Sequence, residues 1–195
     1  MRPHHLLLAA LTLLLTTTLL ADTPGKWQSA STHTRHSLTY STKATLLGQT
    51  TPIDLVFGCD PTSDKQSSGT LGFDLSIKNV SKLKSFPFND FEGPDAVAAP
   101  DVRLTITRPG KPPLTFKTSA SGFYSEADVF VFSVAEVSKK AKSTPRSILK
   151  TLASEPADSI TLTITDPRDP MHALELSVPV TNKQADFQTI LTGLK

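Results

Sequence analysis

The chain of 195 residues has one cysteine, little net charge and no recognisable catalytic motif. A single cysteine excludes an intramolecular disulfide framework and a cysteine-rich zinc site. A formal net charge of +2 excludes a strongly basic nucleic-acid-binding protein. An apolar fraction of 38% is too high for a disordered chain and too low for a protein with several membrane spans. A chain of this length can bury a core of its own.

Catalytic signatures are missing as well. There is no G-x-S-x-G nucleophile elbow, no H-E-x-x-H helix and no glycine-rich loop of the kind that cradles phosphates. The sequence therefore favours a protein without enzymatic activity, and we expect no cofactor and no bound metal.

Residues 1–21 are typical of a signal peptide. Arg2 supplies a positive start, residues 6–20 carry no charge, and Ala21 precedes the polar Asp22. The alternative is an uncleaved membrane anchor, but the apolar run is short for a span and no basic flank follows it. We expect cleavage after Ala21, no membrane span afterwards, and a periplasmic or secreted product. Export with one lone cysteine fits a bacterial envelope protein better than a small secreted animal domain.

The remaining chain alternates between apolar and polar residues over much of its length. Residues 22–36 are polar and lack periodicity, although Trp27 is expected to tuck against the core. Residues 37–195 predict a single β-rich domain, because period-two alternation with one polar face is typical of antiparallel sheet. The clearest example is the stretch 71–77. Because proline cannot donate to a ladder, the strand near 174–180 either lies at an edge or ends at Pro179. We predict a mainly β (α+β) fold, an antiparallel β-sandwich or open barrel.

Three helices complete the prediction, two in the middle of the chain and one at its C-terminus. The first spans about 134–142, where residues 133–136 fit a capping box. The second begins at Thr144, with Pro145 in its first turn. A capping box at 181–184 starts the last helix, whose buried stripe comprises Phe187, Ile190, Leu191 and Leu194.

The order of these elements resembles small exported bacterial proteins of the type VI secretion-associated and invasion-associated periplasmic kind. The shared features are a strand with one cysteine at 53–59, a helix around 148–152, then strand, turn, strand and a terminal amphipathic helix. The chain departs from these proteins in its loops at 84–101 and 108–113. The resemblance implies a β-rich envelope protein with an accessory or binding role and no shared enzyme site.

Two surfaces are candidate binding sites. Phe86, Phe88 and Phe91 form either an exposed apolar contact patch or, as we prefer, a lid that folds back on the core. Basic residues on the two mid-chain helices form either a stripe for an acidic partner or simply a solvated face. This basic stripe comprises Lys139, Lys142, Arg146 and Lys150.

Four further groups of residues have the chemistry of a site. Cys59 shares strand parity with core residues, so a buried thiol is preferred over a nucleophile. His33 and His36 could share a metal on a helix, but in a strand they point to opposite faces. The carboxylates of the loop near residue 90 suggest acid/base chemistry without an apolar pocket to support it; they are Asp90, Glu92 and Asp95.

The last group consists of Asp166, Asp169 and His172, which could ligate a hard cation from a loop. They sit beside Pro167 and Pro170, and Asp-Pro pairs are ordinary turn formers, so the turn interpretation is preferred.

The leading hypothesis is a non-catalytic exported envelope protein that binds a protein or an anionic polymer and no nucleic acid. The alternative is a hydrolase acting on an envelope polymer with a site built from scattered Asp and His residues.

Overall fold

The computed structural model describes residues 25–32, 35–60, 70–92, 102–135 and 144–193. Within these ranges the chain forms ten strands in two antiparallel sheets, with two α-helices and two short 3-10 turns. The strands are β1 (Lys26–Ser31), β2 (His36–Leu46), β3 (Gln49–Asp60), β4 (Thr70–Lys78), β5 (Val102–Arg108), β6 (Lys111–Thr118), β7 (Ser121–Glu126), β8 (Val129–Ala135), β9 (Ser159–Thr165) and β10 (Ala173–Pro179). The helices are α1 (Thr144–Ser154) and α2 (Gln184–Thr192), and the 3-10 turns are Val80–Lys82 and Phe88–Phe91.

The larger sheet has six strands in the order β1-β2-β3-β4-β8-β7. The alternation read from the sequence sets its register, so that Leu55 pairs with Leu75 and Phe57 with Phe73 across β3 and β4. All four of these side chains are buried. The four central strands β2, β3, β4 and β8 bury alternate residues, so together they present a continuous apolar surface.

The smaller sheet has the order β10-β9-β5-β6. Its central strands β5 and β9 bury their alternate residues completely, with Leu104 paired to Leu162. The edge strands carry prolines, at Pro112 and Pro113 in β6 and at Pro179, where β10 ends. Proline cannot donate to a ladder, so these positions fit the edges. The edge position predicted for Pro179 is confirmed.

Buried side chains from both sheets form one hydrophobic core cluster. The two helices contact each other, and α2 also contacts β2 and β3. Ile148, Leu149 and Leu152 of α1 are buried, as the sequence predicts. The sandwich arrangement is therefore the one predicted, with helices packed on a two-sheet scaffold.

Three local predictions differ from the structure. Residues 26–31, predicted to be polar and irregular, form strand β1, whose Trp27 does pack against the core. Ser133 and Val134 extend strand β8 and do not begin a helix, because the buried side of β8 continues through Val134. The predicted capping box of the last helix is also wrong, since the hydroxyl of Thr181 donates to the carbonyl of Asp158. The rest of the predicted 134–142 helix lies outside the described residues.

No helix in the described ranges is both long enough and apolar enough to cross a membrane. The predicted signal peptide at 1–21 lies outside those ranges.

Candidate functional site

The three phenylalanines of the loop after β4 are buried. Phe86 stacks on Phe91 with ring centroids 5.4 Å apart. Phe88 packs against Phe130 of β8 with ring centroids 5.1 Å apart. The structure shows the interpretation preferred from the sequence, in which the rings cover the core. They do not form an exposed contact patch. Instead, the three rings lie beneath the surface of this loop.

A groove of about 410 Å³ lies over this loop, next to the turn between β7 and β8. Its volume falls within the range of small-ligand sites, roughly 300–1,000 Å³. Val80, Leu83 and Phe88 supply apolar lining, and the loop between β9 and β10 closes one side. The polar and charged side chains that line the groove are Ser81, Lys84, Asn89, Asp90, Tyr124, Asp128 and Arg168.

Asp128 holds the β7–β8 turn against the loop after β4. Its Oδ1 accepts a hydrogen bond of 2.7 Å from the backbone N–H of Ser81, and its Oδ2 accepts one of 3.1 Å from the Ser81 hydroxyl. Both carboxylate oxygens are thus engaged, which fixes this wall of the groove.

Asp90 is a buried carboxylate on the groove lining, with only 9% of its surface exposed. Nη2 of Arg168 donates to Oδ1 of Asp90. No donor in the described part of the chain reaches Oδ2, which is itself buried. A buried charged oxygen without a donor is destabilising, and a donor that reached it would relieve this cost.

Tyr124 of β7 forms the wall opposite the loop. Its hydroxyl donates to Oδ1 of Asn89 over 3.0 Å, and its ring stands edge-on to Phe130 at 4.9 Å. Burial, followed by the negative charges of Glu92 and Asp128, raises the pKa of the Tyr124 phenol. Two carboxylates, those of Glu92 and Asp128, are therefore near the Tyr124 hydroxyl.

The loop between β9 and β10 contains the acid and histidine residues singled out in the sequence. Asp166 Oδ1 accepts from the backbone N–H of Arg168 at 2.8 Å, and Asp169 Oδ1 accepts from that of Met171 at 3.0 Å. Each aspartate thus bonds the backbone two residues on, which confirms the turn interpretation. Nδ1 of His172 lies 3.6 Å from Oδ2 of Asp166, and neither residue lines the groove. Within the described residues no three His, Cys, Asp or Glu side chains come together as a metal site.

The basic stripe is only partly described. Lys150 is exposed and Arg146 half-buried on α1, whereas Lys139 and Lys142 lie outside the described residues. The outward position of Lys150 is confirmed. The stripe as a binding surface stays a prediction.

The other candidate residues are dispersed. His36 lies in β2, where its Nδ1 is 2.7 Å from the Ser31 hydroxyl, and His33 lies outside the described residues. Glu92 forms an isolated parallel bridge with Gly122 of β7, and Asp95 again lies outside the described ranges. Of the three loop carboxylates, only Asp90 lines the groove.

Cys59 is buried in β3, as its strand parity predicts, with 1% of its surface exposed. We expect its thiol to react slowly with a maleimide in the folded protein and fully after denaturation in guanidinium, because burial blocks access of the reagent. Mass spectrometry of timed samples measures the extent of labelling. Rapid labelling of the folded protein would contradict the prediction and return Cys59, which pairs with His36 across β2 and β3, to the list of nucleophiles.

Comparison of the chain with protein-family models, curated proteins and solved structures found no match. The resemblance to exported envelope proteins therefore stays a prediction that rests on the order of elements alone.

Proposed function

We propose that the chain is an exported, non-catalytic binding module of the bacterial cell envelope, with the groove as its ligand site. The observation that carries this proposal is Asp90, a buried carboxylate on the groove lining with one oxygen that lacks a donor. Fixed polar groups beside apolar and aromatic side chains are the usual composition of a binding site. The sequence pattern of residues 1–21 supports export.

The exposed apolar side chains also bear on where a partner makes contact. The large hydrophobic residues exposed in the described ranges are Phe123 (45%), Tyr124 (37%) and Met171 (93%). Phe123 and Tyr124 belong to β7, and Met171 lies in the loop that carries Arg168 to the groove. Of these three residues Tyr124 lines the groove, whereas Phe123 points to the opposite face of β7.

Photo-crosslinking in the native cell tests this function. Lys84 is exposed on the groove lining, so benzoylphenylalanine at this position should capture one discrete component of the envelope fraction. Lys117 is exposed on β6 of the other sheet and provides the matched control position. The protein's own chain, recovered from the crosslinked product, should have the mass expected for a start at about Asp22.

Equal adducts from both positions would show that the groove has no special role. Full-length protein confined to the cytosol would contradict export.

A further inference from the structure

We infer that the groove binds a basic side chain, best an arginine, presented by an extended peptide segment of a partner protein, and that Arg168 is an internal competitor for the same carboxylate. This inference rests on the proposed function and names the ligand class of that site. It starts from the pairing of Asp90 and Arg168.

Arg168 satisfies Asp90 only in part. It donates from Nη2 to Oδ1, while Oδ2 stays buried without a donor in the described part of the chain. A guanidinium can address both oxygens of a carboxylate through two parallel hydrogen bonds, and that geometry is the stronger one. An incoming arginine that is not tethered to the β9–β10 loop can adopt it. The unused oxygen therefore gives a ligand an advantage over Arg168.

Arg168 can also leave without disturbing its loop. Its side chain is 68% exposed, so only the Asp90 end of the pair is buried. An incoming guanidinium that replaces Arg168 keeps this carboxylate paired. The loop itself is shaped by backbone N–H groups that donate to Asp166 and Asp169, and neither bond involves the Arg168 guanidinium. Displacement of one exposed side chain therefore opens the carboxylate to a partner.

The surroundings of Asp90 suit a cation. Tyr124 offers an aromatic ring in the groove lining, and aromatic faces attract guanidinium and ammonium groups. Glu92 and Asp128 add negative charge on this side, which is consistent with the raised pKa of the Tyr124 phenol. Lys84 and Arg168 are the two positively charged residues of the groove lining. The Lys84 side chain is exposed and does not belong to the buried wall that holds Asp90.

The neighbouring strand β7 favours a peptide over a small amine. It is the last strand of its sheet, and its sequence SGFYSE contains no proline, lysine or arginine to block the edge. Prolines interrupt the edge strands β6 and β10, and the side chains of Trp27 and Ser29 tie the edge strand β1 to Pro179 and Asp186. An extended segment can pair with an open edge while its side chain enters an adjacent pocket.

The outer side of β7 already makes one main-chain contact. Glu92 forms a parallel bridge with Gly122, and in the described residues no other main chain pairs with the outer side of β7. The sequence of β7 contains no lysine or arginine, so a second copy that pairs through this strand would bring Asp90 no basic side chain from it. Complementary charge favours a basic partner segment.

The test uses a capped heptapeptide of threonine and serine with one central arginine, and titrates it into the exported protein by NMR or calorimetry. A second heptapeptide carries citrulline, which keeps the shape of arginine and removes its charge. We expect the arginine peptide to bind about tenfold more tightly or better, since a hydrogen bond to a charged group contributes at least that factor. Equal affinity of the two peptides would overturn the inference.

Two variants should change the affinity in opposite directions. Arg168→Ala removes the competitor and should strengthen binding of the arginine peptide severalfold, whereas Asp90→Asn removes the acceptor charge and should abolish it. Arg168→Lys keeps a tethered cation and should give an intermediate affinity. Near-ultraviolet circular dichroism confirms folding of each variant, and the Arg168 and citrulline comparisons do not depend on Asp90→Asn being stable. If Arg168→Ala leaves the affinity unchanged or lowers it, Arg168 is not a competitor.

Free agmatine separates a peptide from a small amine. It carries the guanidinium without a peptide backbone, so binding as tight as that of the heptapeptide would overturn the part played by β7. If the protein forms a dimer that Phe123→Asp abolishes, the edge of β7 pairs with a second copy, and the inference of a peptide ligand is overturned as well. Capture of a partner through position 84 without binding of the arginine peptide would overturn this inference and leave the proposed function standing. Peptide binding without any captured partner would instead reject the proposed function.

Discussion

Phe132→Ala is expected to lower the free energy of unfolding by about 3–5 kcal/mol, the usual loss for a buried phenylalanine. Phe132 is 1% exposed and lies on β8, between β4 and β7. Its ring centroid lies 4.9 Å from that of Phe130 and 5.1 Å from that of Phe91. Removal of the ring leaves a cavity where the loop after β4 meets the sheet. Urea unfolding followed by tryptophan fluorescence measures the change.

Phe123→Ala is the matched control for that experiment. It deletes the same side chain from the neighbouring strand β7, where Phe123 is 45% exposed and faces away from the aromatic cluster. Substitutions at exposed positions usually change the free energy of unfolding by no more than about 0.5 kcal/mol. The loss for Phe123→Ala should therefore be a small fraction of the loss for Phe132→Ala. Similar losses for both variants would contradict the packing described for Phe132.

The strands that could be predicted are those buried on one face. In β4 every second residue from Leu71 to Ile77 is buried, so burial and sequence share a period of two. The strands that the sequence missed, β1 and β7, are edge strands that are exposed over most of their length. An edge strand held mainly by ladder hydrogen bonds has no need of apolar alternation, and its sequence then carries no such signal.

The error at residues 133–136 has a related cause. Ser133 and Glu136 fit a capping box, which is a local pattern of polar residues. Val134 instead continues the buried side of β8 after Phe130 and Phe132. Burial of an apolar face outweighs a cap that contributes about 1 kcal/mol. The parity of Val134 was the signal that could have corrected the prediction.

The candidate site shows a similar division. The turns at Asp166 and Asp169 follow from local chemistry and were predicted. The pairing of Arg168 with Asp90 joins residues 78 positions apart, and it exists only because the β9–β10 loop meets the loop after β4 in the folded chain. Tyr124 was missed because its strand was missed. The groove is thus a product of tertiary contact between elements whose sequences show no motif.

Gly72→Ala should cost about 3 kcal/mol of folding free energy, because it places a methyl group where two backbones come close. Gly72 of β4 pairs with Ala135 of β8. A Cβ at Gly72 would lie 2.3 Å from the carbonyl oxygen of Val134 and 3.0 Å from Cα of Ala135. Both atoms belong to a strand that cannot move without breaking its ladder with β4. Thermal unfolding of the variant measures the loss.

Gly58→Ala supplies a control in the same row of the same sheet. Gly58 of β3 is the register partner of Gly72, yet a Cβ there would meet its nearest atom, the carbonyl oxygen of His36, only at 3.5 Å. That is ordinary contact, and a glycine replaced by alanine without strain is neutral or stabilises by up to about 1 kcal/mol. The pair of variants therefore separates close approach of β4 and β8 from a general intolerance of side chains on this face.

The groove lies at the other end of β8, beside the β7–β8 turn, so the Gly72→Ala variant should bind the arginine peptide normally at temperatures where it is folded. Equal destabilisation by the two substitutions would mean that β8 does not approach β4 as closely at Gly72 as the register requires.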